Sequence, residues 1–427
     1  MSITLVPEAT CTGGNVLLKM KEKAEDLAIF GHEPIFPEKL HVGRPNSGDR
    51  QALMERFNHI LDTCWFTNDG PYVQELEQRL ADLLGVRHCI AMCNGTVAME
   101  IAIRATGMTG EVIVPSFTFV ATAHALQWQQ ITPVFCDIDS RTHNLDPNKI
   151  EHMITPRTTG IIGVHLWGRA CNVDALTEIA QRRKLTLLFD AAHALGCSYQ
   201  GQMIGNFGNA EVFSFHATKF FNTFEGGAVA TNNEDLAAQI RLMRNFGFAG
   251  YDRVIYIGTN GKMNELSAAM GLTLLDSLDE VVELNRRNYD CYKAGLSAVP
   301  GIEVLSYDHA ESNNYQYVVL VVNEALSGLS RDELLSVLHA ENVIARRYFY
   351  PGCHRMEPYR SYYPHAGLML PVTEAISEQV LSLPTGTSMT PAYIDEICQV
   401  ISTATANSDF VRQRLVKAAD RASEIGR

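Results

Sequence analysis

Between residues 89 and 230 the chain repeats one theme: a short, almost wholly apolar run followed by a stretch with helical spacing. The runs are Cys89–Met92, Glu111–Val114, Pro133–Cys136, Ile161–Val164, Thr186–Phe189, Glu211–Phe215 and Gly227–Ala230. An apolar run without alternation suits a strand covered on both faces, and helices between such strands favour parallel pairing. The pattern therefore predicts an α/β fold with a mostly parallel seven-stranded sheet between helices. In such sheets ligands gather outside the carboxyl ends of the strands. The polar residues that follow each run are the ones to read for chemistry.

The flanks complete the architecture. Leu53, Phe57, Ile60 and Leu61 repeat at helical spacing, as do Val73, Leu76, Leu80 and Leu83 after the turn Asn68-Asp69-Gly70-Pro71. Beyond the sheet one long helical stretch runs from about residue 264 to 296, with Leu266, Met270, Leu274, Leu278 and Val281 on one face. A strand at 315–322, a helix at 331–341, a strand around 347–350 and a final helix capped by Thr390, with Pro391 at its first position, make a smaller α+β unit. The expected division of the 427 residues is an irregular arm at 1–40, a large domain at 41–285 and a small C-terminal domain at 286–427.

Composition excludes some partners. With 35 Lys and Arg against 48 Asp and Glu, the net charge of −13 argues against nucleic acid or an anionic membrane surface. The opening residues show no basic segment followed by a long apolar one, and no run of about 18 apolar residues occurs later. Ten cysteines without paired spacing predict reduced thiols in the cytoplasm, with neither a metal site nor a disulfide framework.

Lys219 closes the segment Phe213-Ser214-Phe215-His216-Ala217-Thr218-Lys219, just past an apolar run. A lysine in a confined site can lose its proton and attack an aldehyde, although a lone loop lysine is usually a solvated charge. Asp190 directly follows the run at 186–189, where a carboxylate can meet a protonated pyridine nitrogen and keep that ring an electron sink. A helix cap is the plainer role for it. His193 could lie against the same ring, and Phe119 in PSFTFVAT could stack on its face. Asn94-Gly95-Thr96 opens a helix after the first run, and Ser214 adds a hydroxyl; together they offer a phosphate its N–H and O–H donors.

The segments NGTVAME, PSFTFVAT, DAAHALG, FSFHATKFFNTFEGGAV, TNGKMNELSAAMGL, RRYFYPGCH and VLSLPTG follow one another between Gly70 and Thr390. In that order they resemble the DegT/StrS-type sugar aminotransferases, pyridoxal-phosphate enzymes of the aspartate aminotransferase fold (fold type I). The resemblance implies that Lys219 holds the cofactor covalently and shuttles the proton, while Asp190 pairs with the pyridine nitrogen. His193 would lie beside the ring where many relatives have Gln, and Phe119 would stack where some have Trp. Gly95, Thr96 and Ser214 would hold the phosphate. Asn260 would reach it from the neighbouring subunit, making a homodimer with shared active sites; a cap on the helix near Asn264 is its alternative role. Gly261 and Lys262 depart from the aromatic-Arg pair of many members. Tyr348 and His354 match a region near the sugar.

The implied reaction carries an amino group from glutamate to a nucleotide-linked keto sugar through pyridoxal 5'-phosphate, with pyridoxamine 5'-phosphate as intermediate. Members that dehydrate have His where this chain has Lys219. The HATKFFN and GKMNE segments look like those of members acting at C4, which points to a dTDP-4-keto-6-deoxyhexose becoming a 4-amino sugar. A free or differently activated keto sugar, an aminocyclitol precursor, a dehydratase activity and a non-catalytic binding role stay open at this stage.

Overall fold

The computed structural model describes residues 21–415. Its centre is a seven-stranded sheet of β1 (His88–Met92), β2 (Glu111–Pro115), β3 (Thr132–Cys136), β4 (Thr158–Val164), β5 (Thr186–Asp190), β6 (Ala210–Ser214) and β7 (Gly227–Thr231). Each strand overlaps the apolar run that predicts it. The spatial order is β1-β7-β6-β5-β4-β2-β3. All neighbours pair in parallel except β7, which runs against both β6 and β1. Its register sets Gly227 opposite Met92 on one side and Ser214 on the other, so β7 begins where β1 and β6 end.

Helices cover both faces of this sheet and pack on a smaller one beyond it. They are α1 (Arg50–Thr63), α2 (Pro71–Leu84), α3 (Gly95–Ala105), α4 (Ala121–Gln127), α5 (Val173–Arg183), α6 (Glu234–Arg244), α7 (Glu265–Leu275), α8 (Leu278–Leu296), α9 (Arg331–Ala340), α10 (Pro371–Ser377) and α11 (Pro391–Ala406). The two-residue period of a strand splits β1 between them. Ile90 and Met92 join Ala98, Ile101 and Ala102 of α3 in one core, while Cys89 and Ala91 join Leu76 and Leu80 of α2 in another. The starts of α3, α5, α6 and α7 are fixed by Asn94, Asn172, Asn233 and Asn264, whose side chains accept backbone N–H bonds from the first turn. Thr390 caps α11 in the same way, with Pro391 at its first position.

The long helix expected from 264 to 296 is two helices, broken at Asp276 and Ser277. Arg56 and Arg79 both bond the Asp276 carboxylate at the break. Met270, Leu274, Leu278 and Val281 are buried on either side of the interruption, which is why the apolar period reads through it. Leu266, assigned to the same face, points to solvent. Almost every side of α7 is buried, the mark of a core helix rather than a surface connector.

Beyond α8 a three-stranded antiparallel sheet forms from β8 (Ile302–Val304), β9 (Val318–Val322) and β10 (Val380–Leu383). The strand expected around 347–350 is instead a turn: the Tyr350 N–H bonds the Arg347 carbonyl and the Gly352 N–H bonds the Phe349 carbonyl. Its aromatic residues suit a strand by propensity, but Phe349 spends its ring on Trp167 and His193 instead. Of the expected arm, residues 1–20 lie outside the described part. Residues 21–40 are not loose: Leu27, Ile35, Phe36 and Leu40 are buried with Tyr289 and Tyr292. The buried Glu341 carboxylate accepts the N–H groups of Ala28 and Ile35, each at 2.7 Å. No helix among the described residues is long and apolar enough to cross a membrane.

Candidate active site

Residues that end or follow β1, β2, β5 and β6 meet at the carboxyl ends of these strands. From β1 the chain turns at Asn94, whose side chain accepts the Val97 N–H at 2.8 Å, leaving the Gly95 and Thr96 N–H groups without a helical partner. Small residues let the neighbouring strands close on this turn. A Cβ on Gly95 would lie 3.1 Å from the Ser214 Cβ, and one on Gly227 would lie 2.6 Å from the Gly95 nitrogen. Gly95, Thr96 and Ser214 thus form a cradle of two unpaired N–H groups and two hydroxyls, suited to an anion.

Asp190 ends β5. Its Oδ2 accepts the Thr122 hydroxyl at 2.7 Å and its Oδ1 accepts the Ala192 N–H at 3.1 Å. Burial pushes the Asp190 carboxyl above its ordinary value, while the Thr122 and Ala192 donors and the Lys219 charge pull the other way. Lys219 and Asp190 are each partly buried. Desolvation brings the Lys219 amine down to about 8, against the pull of Asp190. A lysine so placed is a free amine more often near neutral pH than an ordinary lysine, though its protonated form still predominates, and its Nζ donates to the Tyr317 hydroxyl at 3.2 Å.

His193 is buried, and its Nδ1 accepts the Trp167 N–H at 3.2 Å, which leaves the ring proton on Nε2. Desolvation and the Lys219 charge hold it well below its usual range, so it stays neutral. Its ring lies 5.9 Å from Phe349 and 4.5 Å from Tyr317. Phe119 stands in the loop before α4 with its ring largely exposed, three residues from the threonine that bonds Asp190.

The two residues expected near the sugar separate. Tyr348 belongs to the aromatic group around Trp167 and Tyr317. His354 is buried elsewhere: its Nε2 donates to Glu374 at 2.6 Å and its Nδ1 accepts from Ser116 at 2.7 Å. Both ring nitrogens are used in tying the loop after β2 to α10, and neither is left for a ligand. Asn260 is exposed, and its backbone bridges Asn245 beside the start of α3. The capping role weighed for it is taken by Asn264, which bonds the Ser267 N–H at 2.9 Å. Lys262 donates to Asn245 Oδ1 at 3.0 Å and lies over the Phe246 ring.

The donor set matches what pyridoxal phosphate needs. It offers an amine of lowered basicity, a buried carboxylate beyond it, a flat aromatic face and an anion cradle. A profile described as the DegT/DnrJ/EryC1/StrS aminotransferase family matches residues 48–402. The chain belongs to this family. Among its relatives, the dTDP-4-amino-4,6-dideoxy-D-glucose transaminase of Shigella dysenteriae is 39% identical over 355 residues, covering 82% of this chain and 95% of that protein. The GDP-perosamine synthase of Caulobacter vibrioides is 37% identical over 367 residues, covering 84% and 96%. A crystal structure of DesI in the presence of its TDP-sugar product superposes with a TM-score of 0.87 at 49% identity, covering 93% of this chain and 99% of that one. This DegT/DnrJ/EryC1/StrS member is therefore a pyridoxal-phosphate-dependent sugar aminotransferase.

Sequence reasoning missed Thr122, Trp167, Gln316 and Tyr317. Thr122 stood inside the segment already chosen for Phe119, and a hydroxyl three residues on was a usable signal. Tyr317 is 98 residues from Lys219, and nothing local marks their contact.

Proposed function

We propose that this chain transfers the amino group of glutamate to C4 of a dTDP-linked 4-keto-6-deoxyhexose. The observation that carries the proposal is the meeting of residues from neighbouring strand ends: Thr122 bonds Asp190 at 2.7 Å, Tyr317 meets the Lys219 amine at 3.2 Å, and the turn at Gly95 packs against Ser214. The acceptor is chosen from the relatives: two are named for dTDP-4-amino-4,6-dideoxy-D-glucose, and DesI is named with a TDP-sugar product.

Bound pyridoxal phosphate supplies an aldehyde to receive an amine and a ring that takes up the electron pair of a breaking Cα–H bond. The residues of the chain do the rest. Lys219 Nζ takes the α-proton from the donor and returns a proton on the acceptor side, acting as base and then acid. Asp190 stays ionised and keeps the pyridine nitrogen protonated. Gly95, Thr96 and Ser214 hold the phosphate, Phe119 covers one ring face and neutral His193 lies by the ring without adding charge. Tyr348 borders the sugar.

Asn260 of the partner subunit completes the phosphate site, so the working unit is a homodimer in the cytoplasm. The division into an arm at 1–40, a large domain at 41–285 and a small domain at 286–427 belongs to the same reading. Its small domain is supported by a buried cluster that gathers residues from Tyr289 to Val411, and the same cluster takes in Leu27, Ile35, Phe36 and Leu40 of the arm. The deciding assay incubates the protein with glutamate and a panel of nucleotide-linked 3-keto and 4-keto sugars, with products identified by mass spectrometry and NMR. Amination of dTDP-4-keto-6-deoxyhexose is the expected result. Turnover confined to 3-keto sugars, or to sugars carried on another nucleotide, sinks the substrate assignment.

A further inference from the structure

Four consecutive residues of the C-terminal part, Asn314 to Tyr317, reach three parts of the site. Asn314 Nδ2 donates to the carbonyls of His193 and Leu195, each at 2.9 Å. Gln316 Oε1 accepts the N–H of Phe220 at 3.0 Å, directly after the reacting lysine. Tyr317 Oη then meets Lys219 Nζ itself at 3.2 Å. The Tyr317 ring is buried against Trp167, His193 and Tyr348, and its backbone carbonyl is fixed by the Tyr307 hydroxyl at 2.9 Å. A phenol braced this firmly cannot follow the lysine about; the lysine must come to it.

We propose that Tyr317 is a positioning residue for Lys219, its hydroxyl holding Nζ at a fixed place whenever the lysine is not bonded to the cofactor. The proposal rests on the reading of Lys219 as the reacting amine. Its physical basis is that a phenol hydroxyl is both donor and acceptor. When Lys219 is an ammonium, Nζ–H donates to the phenol oxygen. When Lys219 is a free amine, the phenol O–H donates to its lone pair. The contact survives both halves of a proton shuttle and can occupy the amine lone pair in one of them; a carbonyl could only accept from the lysine, and an ammonium could not pair with its charged form. Burial keeps the phenol itself from ionising, with Tyr348 adding to that effect and the Gln316 amide opposing it.

Tyr317→Phe tests this, because it keeps the ring contacts and the Tyr307 bond while deleting one oxygen. The groups that titrate around Nζ are Asp190, His193, Tyr317 and, behind it, Tyr348, and only one of these changes. The first readout needs no turnover: competitive acetylation of the cofactor-free protein, followed by mass spectrometry, gives the pKa of Lys219. The charge-assisted bond to the ammonium is the stronger of the two states, so its loss lowers that pKa by about one unit. The second readout is kinetic. The kcat for glutamate falls about 10- to 100-fold through misplacement of the base, KM changes little and the isotope effect with 2-deuterated glutamate rises. Tyr307→Phe is the control: it removes bonds to the Trp167 and Tyr317 carbonyls and should leave the Lys219 pKa where it was. If Tyr317→Phe leaves both the Lys219 pKa and the isotope effect unchanged, the positioning role is overturned. If borohydride traps the cofactor on Lys219 in that same variant, the reading of Lys219 survives; if it traps none there in the wild type, both fall.

Discussion

Thr122→Val removes one oxygen from beneath the site and leaves its shape. The Thr122 hydroxyl is buried, donates to Asp190 Oδ2 at 2.7 Å and lies 3.2 Å from the Thr118 hydroxyl. Without it Asp190 retains the Ala192 N–H and the charge of Lys219. A hydrogen bond to a charged group contributes about 1.5–3 kcal/mol. At about 1.4 kcal/mol per pKa unit, its loss moves the titration of Asp190 up by about one to two units. Thr118 also loses an acceptor, worth about 1 kcal/mol at any pH.

The sign of the pH dependence follows from burial, which already holds Asp190 above its unfolded-state value. Stability linked to its protonation is therefore full below the unfolded value and is lost as pH rises through the folded one. The variant deepens that loss. Its deficit against wild type is about 1 kcal/mol in acid and grows to about 2.5–4 kcal/mol at neutral pH. Urea denaturation of the cofactor-free protein across about pH 4.5–7.5 reads the trend directly. The acid limb of kcat/KM against pH should climb by the same one to two units. A deficit that is constant across this range, with an unmoved acid limb, refutes the assignment of Thr122 as the residue that keeps Asp190 charged.

Borohydride reduction of the holoenzyme should fix the cofactor on a single peptide containing Lys219; label on Lys262 or Lys184 would end the mechanism. Lys219→Ala should abolish turnover while equilibrium dialysis still finds cofactor bound, because the phosphate and ring contacts come from other residues. Mixing Lys219→Ala and Asn260→Ala proteins should restore partial activity after subunit exchange is verified with tagged chains, since one site of the mixed dimer then has both residues intact. Activity no better than the average of the two parents places Asn260 in its own subunit's business only. His354→Ala should cost about 1–3 kcal/mol in urea denaturation by taking one partner each from Ser116 and Glu374, which keep the residue 354 N–H and Arg355, with KM for the keto sugar unchanged; a raised KM in a variant of normal stability returns His354 to the sugar site.

What could be read in the chain beforehand follows a physical division. The sheet was legible because a strand covered on both faces must be apolar along its length, and seven such runs cannot hide among polar loops. The placement of Asp190, Ser214 and Lys219 at or just past strand ends was legible because each follows or closes an apolar run. The helix break at Ser277 was not legible, since Leu274, Leu278 and Val281 stay in phase across it. The turn at Tyr348 and Phe349 misled for the opposite reason: strand-forming residue types were present, but their rings were committed to Trp167 and His193 from another part of the chain. His354 shows how neighbours in a segment can take different partners. It sits six residues past Tyr348, yet its ring nitrogens pair with Ser116 and Glu374 while the Tyr348 ring packs with Trp167 and Tyr317.

Thr122 and Tyr317 mark the limit most clearly. Each touches a reacting group through one hydroxyl, and a hydroxyl has no periodicity, spacing or partner motif in sequence. Their roles exist only as distances, 2.7 Å to Asp190 and 3.2 Å to Lys219. Those two bonds act on opposite ends of the same charge pair, one favouring the carboxylate and the other steadying the amine. A fold type can thus be shared by many chains while the hydroxyls that touch its lysine and its carboxylate come from positions that no strand-end pattern marks.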